Sequence, residues 1–363
     1  MVEQLTMVSL EEQLLANSFE KVFMGTAGSG SIEYPALIMI YGNSGIKVYS
    51  GEDNTDVTST YLNSPTLSAS AGGYERTSVT GYSTNQRYLG FGSWARGSAV
   101  NGAVADRGTT PWTQYSNFSG LSLPGTGNDS VNRVTPRADG QRVAAHSGTG
   151  TDKGVFSFTN PSTEYGSQPS DFAADATTCF LSQGDYLWVA QGRRWKKFNW
   201  SGNTLSLISN YNFSSTHGEV GDGRISMTSD ENYACVCRYD MKVTVVNISG
   251  TTASEHFYYN GNLSTCYGSE ISPDGNYVAI CRNASPYVYI LETSTSTLTS
   301  QTVQSNFTQS RAAVSWFPDS KHYAVTGTSS NTAWVGSVDA GGWIYDINNK
   351  STVGGYNINC LFT

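Results

Sequence analysis

The chain has 363 residues, a net charge of −8 and only 14% charged residues. That balance argues against a dedicated nucleic-acid binder, whose phosphate contacts call for a basic surface. No apolar run approaches the roughly 18 residues of a membrane span. A hydrophobic content of 38% is enough for a core, and abundant Gly, Ser, Thr, Asn and Tyr favour turns and strands over helices.

The first residues carry acids early and lack a continuous apolar stretch, so no secretory signal peptide is expected. The expected site of synthesis is the cytoplasm. Residues 9–23, SLEEQLLANSFEKVF, read as a short amphipathic helix. Ser9 and Glu12 have capping-box spacing, and Leu10, Leu14, Leu15, Phe19, Val22 and Phe23 recur at near-helical intervals. GTAGSGS follows as a flexible linker by composition. Residues 1–28 are therefore an arm, and two placements stay open for it. Either the helix packs on its own domain, or Leu10, Leu14, Phe19 and Phe23 dock on a partner protein or a symmetry copy.

Beyond the arm one plan recurs: a strand-like run, a polar turn, an apolar run, a short turn and a further run. Residues 35–51 lack the leading run, and 79–93 are a loose copy. Clearer copies are 134–160, 179–200, 225–251, 271–295 and 314–349. The first apolar residues after the turns are Tyr88, Val143, Tyr186, Tyr233, Tyr277 and Tyr323, separated by 55, 43, 47, 44 and 46 positions. A period of about 45 residues built from short strands marks a four-stranded propeller blade. In the turn Pro273-Asp274-Gly275, proline presets φ, aspartate bonds back to the backbone and glycine supplies positive φ. Pro318-Asp319-Ser320 and Ala138-Asp139-Gly140 keep two of these devices each.

SPDGNYVAI and FPDSKHYAV resemble the Pro-Asp-Gly strand turn of WD-like and TolB-like propeller repeats. GWIYDINN, residues 342–349, resembles the third strand of a WD repeat, with Tyr345-Asp346 in the Trp-Asp place. The resemblance covers residues 35–363 and implies an all-β, seven-bladed propeller over 29–363. Gly-His and Trp-Asp signatures are absent. Closure needs a donor for the missing leading strand. The tail NINCLFT, residues 357–363, is the expected donor, and KVFMGTA, residues 21–27, is the alternative.

QGRRWKKFNW, residues 191–200, puts four of the 21 Lys and Arg inside five positions beside Trp195, Phe198 and Trp200. Basic charge among aromatic rings is how a nucleic-acid surface reads. Aligned on the repeat, however, it is a blade hairpin. Phe198 and Trp200 pack between blades, lysine stems lie over apolar surface with ammonium groups in water, and Arg193 and Arg194 project from the tip.

Chemistry is sparse. His146, His217, His256 and His322 have no second ligand type at metal spacing. GEDNTDVTS, residues 51–59, lacks the order of a calcium loop, and no nucleophile elbow, P-loop or HExxH occurs. The six cysteines form no CxxC pair and read as free buried thiols. Residues 92–112 and 328–341 read as insertions, with Trp94, Trp112 and Trp334 as candidate contact anchors in or beside them.

The expectation is a non-enzymatic structural or interaction protein with no cofactor and no metal. In composition it resembles a bacteriophage virion component, tail or capsid-associated. Two alternatives remain. One is a glycan-binding propeller that recognises a cell surface, and the other is a propeller hydrolase or lactonase with a metal in the central channel.

Overall fold

The computed structural model describes residues 36–362 except 43–44, 52, 54, 63–77, 83–85, 93–102, 116–130, 148–152, 158–176, 182–184, 192, 202–203, 214–224, 238–241, 262–265, 283, 302–311, 328–332, 340 and 348–354. The arm expected at 1–28 and the alternative closing segment at 21–27 lie outside the described residues.

The described residues form seven antiparallel sheets. The first holds β1 (Ala36–Gly42), β2 (Gly45–Ser50) and the last strand, β26 (Gly355–Phe362), with the one-turn helix α1 (Thr58–Tyr61) beside it. The second holds β3 (Ser78–Tyr82), β4 (Tyr88–Gly92), β5 (Ala103–Asp106) and β6 (Thr113–Tyr115). The third holds β7 (Val131–Pro136), β8 (Arg142–Ser147) and β9 (Lys153–Ser157). The fourth holds β10 (Thr177–Phe180), β11 (Tyr186–Gln191), β12 (Arg194–Ser201) and β13 (Thr204–Asn212). The fifth holds β14 (Ser226–Met227), β15 (Tyr233–Cys237), β16 (Lys242–Asn247) and β17 (Ser254–Asn260). The sixth holds β18 (Cys266–Ile271), β19 (Tyr277–Arg282), β20 (Val288–Glu292) and β21 (Thr297–Ser300). The seventh holds β22 (Ala312–Trp316), β23 (His322–Gly327), β24 (Ala333–Ser337) and β25 (Gly342–Ile347).

Strand order follows chain order in every sheet but the first, where the order is β2-β1-β26. There the tail pairs with β1 from Ala36↔Phe362 to Gly42↔Gly355. Each supposed insertion contains a regular strand of its sheet: β5 lies within 92–112 and β24 within 328–341. Residues 342–347 are accordingly the fourth strand of their sheet, not the third. Short runs such as AVAD resemble loops until a partner strand pairs them.

The core lies between sheets, because each middle strand is apolar on both faces. Trp188, Ala190 and Trp195 of the fourth sheet pack on Ala234, Val236 and Val246 of the fifth. Cys235, Val243 and Val245 of the fifth pack on Val278, Ile280 and Leu291 of the sixth. Ala279, Cys281 and Ile290 meet Val314, Trp316 and Trp334 of the seventh. Phe317, Ala324 and Val335 of the seventh meet Ile38, Ile40 and Ile358 of the first. Leu37, Met39 and Val48 of the first then meet Leu89, Phe91 and Ala105 of the second. The described cysteines whose side chains are placed, Cys179, Cys235, Cys266, Cys281 and Cys360, are free and buried.

Leading strands are also joined by side-chain hydrogen bonds. Ile271 N–H donates to Ser226 Oγ (2.9 Å), and Cys360 N–H donates to Ser315 Oγ (3.0 Å). Trp316 N–H donates to Glu270 Oε2 (3.1 Å), and its indole N–H donates to the Glu270 carbonyl (2.8 Å). The hydroxyls of Thr135 and Thr178 lie 2.8 Å apart.

The turns after β7, β14 and β18 share their wiring. Asp274 Oδ1 accepts from Asn276 N–H (3.0 Å) and from the Ser272 hydroxyl (2.6 Å), while Gly275 takes φ +80°. Asp230 accepts likewise from Asn232 N–H and Thr228. Asp139 accepts from Gln141 N–H, with Gly140 at φ +68°.

Two sheets approach closely at Gly90, where a Cβ would sit 2.0 Å from the Val134 carbonyl oxygen. That obstacle is backbone and has no rotamer to change. Gly90→Ala is expected to destabilise the fold by about 1–3 kcal/mol, measured as a lower denaturant midpoint.

Candidate interaction surface

The fourth sheet carries the basic stretch. Arg194 opens β12 opposite Gln191, so Arg193 and Arg194 stand at the hairpin tip. Both are exposed, and neither guanidinium meets a carboxylate among the described residues. The next residues turn inward. Trp195 packs edge-on against Trp188 and Phe213, with ring centroids 6.4 Å apart in each pair. Phe198 faces the other way, onto Ala144 of the third sheet together with Leu187 and Val189.

The lysines do not reach water as expected. Lys196 is 2% exposed and Lys197 is 3% exposed. Lys197 Nζ donates to the Gly250 carbonyl (2.8 Å) and lies 4.1 Å from the Tyr186 ring centroid and 5.3 Å from that of Trp188. Burial lowers its pKa. Its attraction to the ring faces and the carbonyl bond make it a clamp between the fourth and fifth sheets. Ser209 adds a second tie, donating to the Thr251 carbonyl (2.8 Å).

β13 is the outer strand of this sheet and the part sequence reading missed. Its pairing with β12 runs Lys197↔Ser209 and then Phe198↔Leu207, leaving Ile208 as the extra residue of a bulge. The bulge breaks the alternation that would turn one of two neighbours inward. Leu207 and Ile208 are 46% and 42% exposed, the two large apolar residues on the surface among those described. The same bulge recurs at His256 of β17, between Val245↔Phe257 and Val246↔Glu255. It recurs at Ile344 of β25, between Val335↔Tyr345 and Gly336↔Trp343. His256 lies over Tyr233, with ring centroids 4.3 Å apart.

Of the nine residues expected to make contacts, the structure places two, Arg193 and Arg194, at the surface. Trp112 is buried against Tyr61, ring centroids 5.5 Å apart, under the Arg107 guanidinium. Trp334 is 1% exposed within the core between the sixth and seventh sheets. Neither ring is available to a partner, because each fills space between elements of its own chain. Leu10, Leu14, Phe19, Phe23 and Trp94 lie outside the described residues.

Several titratable groups elsewhere hold the scaffold together. Arg137 and Arg142 of the third sheet pair with Asp185 of the fourth. Asp106 accepts from Arg87 Nε (2.9 Å) and Gly108 N–H (2.8 Å). Asp53 accepts from Thr55, and Asp56 from Lys47 and Thr58. Among the described residues no group of three or more His, Cys, Asp or Glu could hold a metal ion.

His322 closes one repeat turn, its Nδ1 against Asp319 Oδ2. Burial pushes the Asp319 carboxyl up. Hydrogen bonds from the His322 ring and from the His322 and Lys321 N–H groups outweigh it and hold the carboxyl below its ordinary value.

Comparison with solved structures defines the class. The chain is similar to the β-propeller domain of Myceliophteria thermophila Cps50 (Swd1), at 15% identity and TM-score 0.59 over 87% of this chain and 98% of that one. It is similar to a Bacteroides uniformis protein provisionally assigned as a 6-phosphogluconolactonase, at 13% identity and TM-score 0.58 over 90% and 100%. It is also similar to a functionally unknown protein of Desulfotomaculum acetoxidans, at 12% identity and TM-score 0.57 over 90% and 99%. No protein-family model and no curated protein matches the sequence. At these identities the likeness is one of fold, and the fold is a β-propeller.

Because the Asp319 carboxyl is held below its unfolded value, its contribution is present above about pH 4 and is lost as pH falls through the lower folded value. Asp319→Asn is expected to lower the melting temperature at pH 7 and to flatten its decline toward pH 3. Ser315→Ala leaves the Cys360 N–H without its acceptor, at an expected cost of about 1–3 kcal/mol, with Ser226→Ala as the parallel case. Thermal and denaturant unfolding read both effects.

Proposed function

We propose that this protein is a non-enzymatic interaction platform that assembles with protein partners, most concretely as a tail or capsid-associated component of a bacteriophage virion. In this reading the seven sheets are seven blades of one ring over residues 29–363, closed by β26 on β1, and residues 1–28 are an attachment arm. The core clusters support the ring, since they run from the seventh sheet to the first as they do between neighbours.

The observation that carries the platform reading is the outer face of the fourth sheet. Leu207 and Ile208 are exposed midway along the sheet whose hairpin tip carries Arg193 and Arg194, neither paired with a carboxylate among the described residues, and that sheet is locked to its neighbour by Lys197 and Ser209. Apolar residues and arginine on a rigid surface suit a protein contact. Low charge and abundant Gly, Ser, Thr and Asn support the virion assignment. Incorporation into a particle after synthesis in the cytoplasm goes with it.

A glycan array and metal analysis of the purified full chain separate this reading from its rivals. The expected outcome is no saturable glycan binding and no stoichiometric calcium or zinc. Saturable binding to one glycan class overturns the proposal in favour of cell-surface recognition. Stoichiometric metal overturns it in favour of a hydrolase.

A further inference from the structure

We infer that the β12–β13 face receives the acidic N-terminal segment, residues 1–23, of a second copy of this chain. The inference deepens the platform reading and rests on it by naming the partner.

The first support is the edge itself. β13, TLSLISNYN, is nine residues long and carries no charge and no proline. Its outer backbone groups form an open template for association unless something covers them. Other described outer strands are blunted. β6 is three residues long and β21 four. β17 carries Glu255 and His256, and β25 carries Asp346. The bulge at Ile208 twists β13 but presents two apolar side chains to solvent instead of hiding them.

The second support is charge. Residues 191–214 hold no Asp or Glu, and their two exposed cations, Arg193 and Arg194, stand at the hairpin tip while Lys196 and Lys197 are buried, in a chain of net charge −8. Residues 1–23 hold Glu3, Glu11, Glu12 and Glu20 against Lys21, a side-chain balance of −4 + 1 = −3. The apolar residues Leu10, Leu14, Leu15, Phe19, Val22 and Phe23 accompany those acids. Apolar residues accompanied by acids meet an apolar pair on a sheet with arginines at one end, a complementarity that fixes partner and orientation.

The third support is reach. Residues 24–35 separate the segment from β1 and span at most about 40 Å when extended. β13 belongs to the fourth sheet, so a segment serving its own copy would have to pass the second and third sheets. Handing it to a neighbour needs no such path. The contact is then heterologous, arm to edge, and builds a ring or a filament according to whether its rotation closes.

The test uses the full chain, with light scattering across a concentration series giving the association midpoint. Leu207→Ser with Ile208→Ser, and separately Arg193→Glu with Arg194→Glu, are each expected to raise that midpoint at least about tenfold. Circular dichroism and melting should not change, because all four positions are exposed. Adding Glu11→Lys and Glu12→Lys to the arginine double variant is expected to return the midpoint toward wild type. Unchanged midpoints, or a charge-swapped chain no better than its parent, overturn the inference. So does a full chain that stays monomeric. None of these results touches the glycan and metal outcomes that decide the platform reading.

Discussion

The fold depends on how one sheet is held to the next. Each sheet is too narrow to bury its own apolar faces, so Val, Ile, Ala and Trp on the middle strands find cover only in a neighbour. Apolar packing sets no register between sheets. Short polar side chains on the leading strands do, because a hydroxyl or carboxylate oxygen accepts a backbone N–H from the next sheet at one position only. Ser226 to Ile271 and Ser315 to Cys360 are the same bond, made 45 residues apart in each case. Glu270 to Trp316 is its carboxylate counterpart. These bonds sit in buried, low-dielectric surroundings, where a made hydrogen bond is strong and a missing one is costly.

Acids and hydroxyls among the described residues build turns and sheet junctions. Asp139, Asp230, Asp274 and Asp319 each fold their own turn. The surface left over is polar and weakly charged, and the outer face of the fourth sheet stands out against it.

The inner half of each sheet was legible in the sequence, and the outer half was not. Leading strand, turn and second strand announce themselves through Pro-Asp-Gly chemistry and a spacing near 45, and the anchor tyrosines do open β4, β11, β15 and β19. The outer strands β13, β17 and β21 have no buried residue, and a bulge disturbs the alternation of β13 and β17. β13 accordingly shows only half-buried and exposed residues along its length. Leu207 and Ile208 look like the start of a core strand and are its opposite. AVAD and AWVGS look like inserted loop because short runs of small residues carry no period. Trp112 and Trp334 look like contact anchors in the sequence because a large ring near a long connection suits a surface as well as a junction. Burial of Trp112 and Trp334 depends on neighbours far along the chain. Lys197 shows the same limit, since its aromatic neighbours are local but its carbonyl partner lies 53 residues away.

The pairing of β26 with β1 ties the order of synthesis to the order of assembly. β1 and β2 leave the ribosome long before β26, the strand that heads their sheet. Until then β1 keeps an open inner edge, and the faces of the first and seventh sheets that Ile358 and Cys360 later cover stay wet. A nascent chain therefore accumulates six sheets before it can finish the first. Stalled or clipped products that stop short of residue 355 carry both an unpaired strand and an uncovered apolar face, the combination by which quality control distinguishes unfinished chains from finished ones.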